Sequence, residues 1–188
     1  MITATADTSA RRYWPLALLA AIALVAALMP PAWLRAFDWV GYAVCHRIPA
    51  RSFFVNETQL PVCARDTGMF LGALLGMAFF AITLKRRAGL YPGGPYLAVF
   101  GLCFAAWGFD GFNSYLLLLR GEVFLYEPQN WLRLTTGTLM GMTLSTFAVA
   151  LFNQGVWRDP TEESTVASPQ TLLALLAIAV GIIVTVLW

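Results

Sequence analysis

Charged residues are scarce in this sequence. Asp, Glu, Lys and Arg together make 12% of the 188 residues, while hydrophobic residues make 59%, far from the averages of soluble domains. The mean hydropathy of +0.69 excludes a water-soluble domain. Lys and Arg number 12 and Asp and Glu 10, a formal net charge of +2, and this near balance argues against a nucleic-acid-binding surface.

Histidine, cysteine and lysine are also scarce. The chain has one histidine, His46, and three cysteines, too few for a disulfide-stabilised scaffold or for a protein with several metal ions. Lys85 is the only lysine among the 12 basic residues, so the others are arginines. Because the planar guanidinium group binds carboxylate and phosphate in a bidentate manner, this bias points to recognition of such groups.

Long apolar runs are abundant instead. Five of them have the length of a membrane-spanning helix, namely 14–34, 67–84, 95–119, 134–152 and 172–188. We therefore predict an all-α, polytopic helical membrane protein, with one membrane domain over 1–188 and about five transmembrane helices. The last run is apolar on all sides, which predicts a scaffold helix that faces lipid.

The loops between these runs differ in character. The compact basic cluster at 85–87 lies in a short loop next to two spans, which places this loop and the N-terminus in the cytoplasm. Residues 161–169 are polar and acidic, as is typical of a solvated connector. The loop 35–66 carries aromatic residues among its charges. We expect it to fold against the bundle mouth, beginning with a short interfacial helix.

The second and fourth spans begin with the same pattern. Arg65 and Arg133 are each followed closely by Thr-Gly-x-x-x-Gly, and small residues at spacing four allow close packing of a neighbouring helix, in this chain or in an oligomer. Because successive spans cross the membrane in opposite directions, spans two and four run in the same direction. Both arginines are therefore expected at one membrane face, together with Thr67 and Thr136. There they would bind an anion. Snorkelling of either arginine to lipid phosphates is the alternative.

The third span contains two polar residues past its midpoint, Asp110 and Asn113, on one side of a helix. A carboxylate within a membrane is costly, so we expect Asp110 to pair with Arg65 or Arg133, as a structural ion pair or in handling a proton. Asp110 is one candidate catalytic residue. His46, which lies beside arginine, is the other, and whether the protein is an enzyme is left open.

The loop 35–66 also contains a candidate thiol or metal centre. A disulfide between Cys45 and Cys63 would close the loop on an oxidising face of the membrane. Alternatively, Cys45, His46, Cys63 and Asp66 form a four-ligand set for zinc, since Cys63 and Asp66 have the spacing of a Cys-x-x-Cys knuckle. A disulfide or close thiol proximity ranks first, because aspartate in place of a thiolate disfavours zinc. No cofactor is certain.

Four motifs occur in order between Cys45 and Gly141: CHRIPARSFF, QLPVCARDTGMFLG, FDGFN and NWLRLTTGTLMG. Together they resemble the DUF2085 family of small prokaryotic membrane proteins, which implies a prokaryotic inner membrane. The function of this family is unknown, so the resemblance supplies no reaction. It implies importance for Cys45, His46, Arg51, Ser52, Cys63, Arg65, Asp110, Arg133 and Gly137. The family commonly has cysteine at the position of Asp66, and this departure weakens an inherited zinc or dithiol site.

The leading hypothesis is a polar site on the outer face that binds an anionic ligand, such as a lipid or polyprenyl phosphate headgroup, and transports, presents or modifies it. Membrane lipid and an anionic small molecule are the expected partners, without nucleic acid. The alternatives are a membrane thiol, disulfide or zinc centre, and an accessory subunit that docks through its glycine-striped helices. The candidate ligand-binding residues are Arg51, Ser52, Arg65, Thr67, Asp110, Asn113, Asn130, Arg133 and Thr136.

Overall fold

A computed structural model describes residues 31–55, 57–83 and 87–188, together with single helical positions at 17, 20, 21, 24 and 28. The expected first span, 14–34, lies for the most part outside the described residues. The described helices are α1 (Pro31–Val44), α2 (Ala64–Ile82), α3 (Gly94–Arg120), α4 (Asn130–Val156) and α5 (Pro169–Leu187). Helices α2 to α5 are each long and apolar enough to cross a membrane, and the prediction of a polytopic helical protein is confirmed.

In the described part of the chain, four short strands accompany these helices. Between α1 and α2, a 3-10 helix (Pro49–Arg51) is followed by the antiparallel hairpin of β1 (Phe54–Val55) and β2 (Thr58–Gln59). At the opposite end of the bundle, β3 (Ala88–Leu90) pairs in parallel with β4 (Thr161–Ser164). The strands are confined to the two ends of the bundle, so the spanning part is helical.

The connector after α4 differs from its prediction. The polar stretch 161–169 is expected to be solvated, yet Thr165 and Val166 are fully buried. The Thr165 N–H donates to the Leu90 carbonyl over 3.0 Å, and the Val166 side chain packs into the apolar core. The polar residues of this stretch lie mainly in β4, where most of them are exposed. Thr165 and Val166, which follow β4, close the end of the bundle.

Two helices begin earlier than their apolar runs predict. Helix α2 starts at Ala64 and α4 at Asn130, because polar residues at the bundle end continue the helical hydrogen bonding. Arg65 and Arg133 therefore lie within the first turn of each helix. The Arg133 N–H already donates to the Gln129 carbonyl over 3.0 Å. At α4 the arginine side chain, rather than a free backbone N–H of this residue, is what an anion would contact.

Helix α4 lies at the centre of the bundle. In its most apolar stretch 61% of the residues are buried, against 22% or less in the other three spans. Its contact with α2 depends on glycine: a Cβ at Gly68 would lie 2.8 Å from the Thr138 amide nitrogen, and one at Gly137 would overlap the Arg65 carbonyl. The glycine stripes thus serve a contact within the chain, which holds Arg65 beside the start of α4.

The apolar core and the buried polar side chains of α3 occupy different ends of the bundle. The apolar core extends from the β3–β4 end and includes Phe80, Phe100, Met142, Val166 and Leu175. Toward the other end the buried side chains of α3 are polar, namely Asp110, Asn113 and Ser114. Because unpaired polar groups in a membrane are costly, this end is where a functional site is expected.

Helix α1 lies at this polar end. Trp39 is 81% exposed and Tyr42 is 69% exposed, and such aromatic side chains are enriched at the membrane–water interface. Arg47 connects the helix to the loop that follows, since it pairs with Asp38 at 2.7 Å and stacks 4.5 Å from the Tyr42 ring centroid. Helix α1 thus has the position and character of the interfacial helix expected after the first apolar run.

Candidate functional site

A cavity of about 330 Å³ lies at the polar end, where α2 and α4 begin and α1 and α3 end. Four arginines line it: Arg47 from the loop after α1, Arg51 from the 3-10 helix, Arg65 from α2 and Arg133 from α4. Four further sequence-predicted residues line the same cavity, namely Cys45, His46, Cys63 and Asp66. Residues far apart in the sequence therefore meet at one site.

Arg65 is held in place by α3. Its Nη2 pairs with Asp110 Oδ2 and also donates to Ser114 Oγ over 3.2 Å. Asp110 is only 1% exposed, so it has the arginine partner that a carboxylate at this depth needs. Asp110 is outside the cavity lining, so the role that its contacts support is positioning of Arg65.

Tyr126 is a second partner of Asp110 that sequence reasoning missed. Its hydroxyl donates to Asp110 Oδ1 over 2.7 Å. Burial, followed by the hydrogen bond to Asp110, raises the pKa of Tyr126 to about 12, so the phenol keeps its proton at neutral pH and remains the donor. The only sequence signal for this contact is a tyrosine in the short loop after a span that contains aspartate.

Asn113 holds the loop that carries Tyr126. Its Nδ2 donates to the Tyr126 carbonyl over 2.9 Å, and its Oδ1 accepts from the Leu125 N–H over 3.2 Å. Both polar ends of the amide are therefore used within the protein. Asn113, one of the predicted ligand-binding residues, thus fixes the loop beside Asp110.

Arg51 and Arg133 differ from Arg65, because the described residues provide no carboxylate within ion-pairing distance of either. Arg51 Nη2 donates to the Ser114 carbonyl over 3.0 Å, and Arg133 Nη1 donates to Asn130 Oδ1 over 2.8 Å. Arg133 is 4% exposed, and its buried Nε–H has no hydrogen-bond partner in the described part of the chain. A buried cation in this state lacks an anion.

The thiols occupy another part of the cavity wall. Cys45 Sγ, Cys63 Sγ and a carboxylate oxygen of Asp66 all lie within 4.8 Å of one another, and Cys45 Sγ accepts the Cys63 N–H over 3.3 Å. All three cysteines of the chain lie within the described ranges and are free thiols. No disulfide therefore joins Cys45 to Cys63 in this structure, whereas the close thiol proximity expected as its alternative is present.

Cys63 lies at the N-cap of α2, outside the membrane-spanning segment. Burial raises the pKa of its thiol to about 12, and the charges of Asp66 and Cys45 act in the same direction. The thiol therefore keeps its proton at neutral pH while no metal is bound.

His46 is separate from the thiol cluster. Its side chain is exposed and lines the cavity, but it does not belong to the group of close ligand atoms. The four-ligand set expected for zinc is therefore reduced to three side chains among the described residues.

Four more predicted ligand-binding residues are outside the cavity lining, and their polar groups bond to the protein. The Thr67 hydroxyl donates to the Cys63 carbonyl over 3.0 Å, and the Thr136 hydroxyl donates to the Leu132 carbonyl over 3.0 Å. Ser52 Oγ donates to the Ile48 carbonyl over 3.1 Å, and Asn130 Nδ2 donates to the Ser52 carbonyl over 3.4 Å. These four side chains fasten the loop 35–66 and the helix starts around the cavity.

The apolar part of the lining was also missed. Val44, Tyr115 and Leu118 contact the cavity. In the sequence Val44 belongs to the predicted loop and the other two to a predicted spanning helix, and no pattern separates them from the other apolar residues there. Ser114 carried a recoverable signal, since it lies four residues after Asp110 and so shares a helix face with it.

A multi-pass helical membrane protein with an arginine-lined cavity at one end is the class that this fold and site define. The profile of the DUF2085 family, described as a predicted membrane protein, matches residues 45–147. The chain belongs to this family, and the resemblance inferred from its motifs is confirmed. The matched region contains the whole cavity lining except Val44.

Two archaeal proteins are similar to this chain. An uncharacterized protein of Methanocaldococcus jannaschii is 30% identical over 115 residues, which cover 61% of this chain and 67% of the relative. An uncharacterized protein of Methanothermobacter thermautotrophicus is 32% identical over 109 residues, covering 57% of this chain and 86% of the relative. No solved structure matches the chain at a significant level.

Proposed function

We propose that the cavity binds the anionic group of a phosphate-class ligand, such as a lipid or polyprenyl phosphate headgroup. The observation that carries this proposal is the pair Arg51 and Arg133, which line one cavity without a carboxylate partner among the described residues. An anion there would balance the charge and accept a hydrogen bond from the buried Nε–H of Arg133.

The charge count of the lining supports the same proposal. Arg47 is neutralised by Asp38, and Arg65 by Asp110. The remaining lining charges are Arg51 and Arg133 against Asp66, so the cavity keeps a net positive charge. Because Asp66 lies with the thiols, the two arginines are free to share one tetrahedral anion between their planar groups.

Replacing Arg133 with glutamine is expected to weaken binding of glycerol 3-phosphate to the detergent-solubilised protein by about 10-fold or more, because a hydrogen bond to a charged group contributes about 1.5–3 kcal/mol. Isothermal titration measures the effect. Arg51→Gln provides a second test at a less buried position, and Arg120→Gln, at the exposed end of α3, is the matched control. Equal affinity of all four proteins, or no binding by the wild type, would contradict the proposal.

The proposal places the cavity on the outer face of the inner membrane, with the N-terminus in the cytoplasm. Helix α2 ends at the opposite end of the bundle. In the sequence the basic residues 85–87 come soon after it, and positively charged short loops favour the cytoplasm. With five spans the C-terminus is then outside. A bacterial alkaline phosphatase fused after Trp188 is expected to be active, whereas activity only of a fusion in the 85–87 loop would reverse the orientation.

A zinc or thiol centre is a second candidate function, which the closeness of Cys45, Cys63 and Asp66 favours. Ligand atoms of a tetrahedral zinc site are about 3.3–3.8 Å apart, given metal–ligand distances of about 2.0–2.3 Å. The three side chains therefore need only a small approach to share one ion. Zinc would keep both thiolates deprotonated, while the nearby arginines would tune the charge of the centre.

If this second candidate holds, the purified protein is expected to carry zinc in a 1:1 ratio and to lose it in Cys45→Ser. Metal content by plasma mass spectrometry measures this, and Cys103→Ser is the control because Cys103 lies within α3, away from the cluster. Wild-type protein that takes up no zinc from a buffered metal solution would dismiss the candidate and leave the anion site unaffected.

A further inference from the structure

The cavity lining combines charged and apolar side chains. Besides the arginines, it includes Val44 at the end of α1 and Tyr115 and Leu118 on α3. These three side chains are 56%, 54% and 54% exposed, so they line the cavity and the outer surface at once. They therefore form its rim, which we call the apolar rim.

From this arrangement we infer that the ligand is a membrane lipid, whose phosphate binds at Arg51 and Arg133 while its hydrocarbon chain passes over the apolar rim into the bilayer. The inference rests on the proposed function and names the source of the anion. Helix α3 is long and apolar enough to cross a membrane, so its exposed Tyr115 and Leu118 face the side from which lipid would enter.

The depth of the cavity agrees with this ligand. Arg65 and Arg133 lie at the starts of α2 and α4, and Arg120 marks the end of α3 at the same end of the bundle. The ends of spanning helices lie in the headgroup region, where exposed tryptophan and tyrosine such as Trp39 and Tyr42 of α1 are enriched. A lipid phosphate already occupies this depth, so it reaches the arginines without leaving the bilayer.

A free phosphate ester would use the arginines but gain nothing from the apolar rim. For a short-chain lipid that arrives from water, each methylene group of its chain that leaves water at the apolar rim raises the affinity about fourfold. The contribution of the apolar rim to affinity therefore distinguishes the two sources of the same phosphate chemistry.

The test compares glycerol 3-phosphate with dihexanoyl phosphatidic acid, using the full chain at a fixed detergent concentration. Dihexanoylglycerol, which lacks the phosphate, measures partitioning into the micelles. We expect the lipid phosphate to bind about 30-fold or more tightly than glycerol 3-phosphate. In the double variant Val44→Ala, Leu118→Ala this ratio of the two affinities is expected to fall about three- to tenfold. Leu151→Ala, 63% exposed on α4 away from the cavity, is the control.

The outcomes separate this inference from the function on which it rests. Equal affinity for both phosphates in the wild type would overturn the lipid inference and leave the anion site standing. If the double variant binds the lipid phosphate in preference to glycerol 3-phosphate as strongly as the wild type does, the hydrocarbon chain does not pass over the apolar rim. If neither phosphate binds, the proposed function fails together with the inference.

Discussion

Replacing Asp110 with alanine is expected to destabilise the protein by about 3–5 kcal/mol, because it leaves the guanidinium of Arg65 without its partner in a buried position. The carboxylate side chain is 2% exposed and that of Arg65 is 18% exposed. The same change removes the acceptor of the Tyr126 hydroxyl. The measurement is the midpoint of thermal unfolding in detergent, and Glu122→Ala, an exposed carboxylate just after α3, is the control.

A double-mutant cycle shows whether the loss comes from the pair. The variant Arg65→Met, Asp110→Ala removes both charges, so its stability is expected to lie above that of Asp110→Ala alone, since no unpaired charge is left. If the losses of stability caused by the two single substitutions simply add in the double variant, the ion pair does not hold α2 to α3. An unchanged unfolding midpoint in Asp110→Ala would show the same.

Replacing Gly137 with alanine is expected to cost about 3 kcal/mol and to abolish anion binding. The new Cβ would overlap the carbonyl of Arg65 and lie 2.9 Å from its carbonyl carbon, and backbone atoms relax poorly around an inserted methyl group. Helices α2 and α4 would move apart, and Arg65 and Arg133 would move with them. Thermal unfolding and titration with glycerol 3-phosphate measure the two effects.

Gly155→Ala is the matched control, because it makes the same substitution in the same helix at a position with no neighbour within 4 Å of the added Cβ. Alanine favours helix over glycine by up to about 1 kcal/mol, so this variant is expected to be unchanged or slightly more stable. Equal stability of the two alanine variants would mean that close approach of α2 and α4 is not required.

The four described spans, the packing of α2 against α4 and the meeting of charges follow from local sequence features. Apolar length alone identifies the four described spans, and the glycine spacing predicts the α2–α4 contact that Gly68 and Gly137 make. Because spans two and four run in the same direction, the order of the spans also predicts that Arg65 and Arg133 lie at one end of the bundle. The cost of a carboxylate in a membrane predicts an arginine partner for Asp110.

Only the tertiary structure decided which polar side chains face the cavity. Thr67 and Thr136 belong to the same repeated pattern as the arginines, yet their hydroxyls bond one turn back along the helix, since a short side chain reaches its own backbone first. The longer arginine side chains extend past that turn and meet across the bundle. The bond from Tyr126 to Asp110, the separation of His46 from the thiols and the apolar rim all depend on how elements distant in sequence pack, which no local pattern encodes.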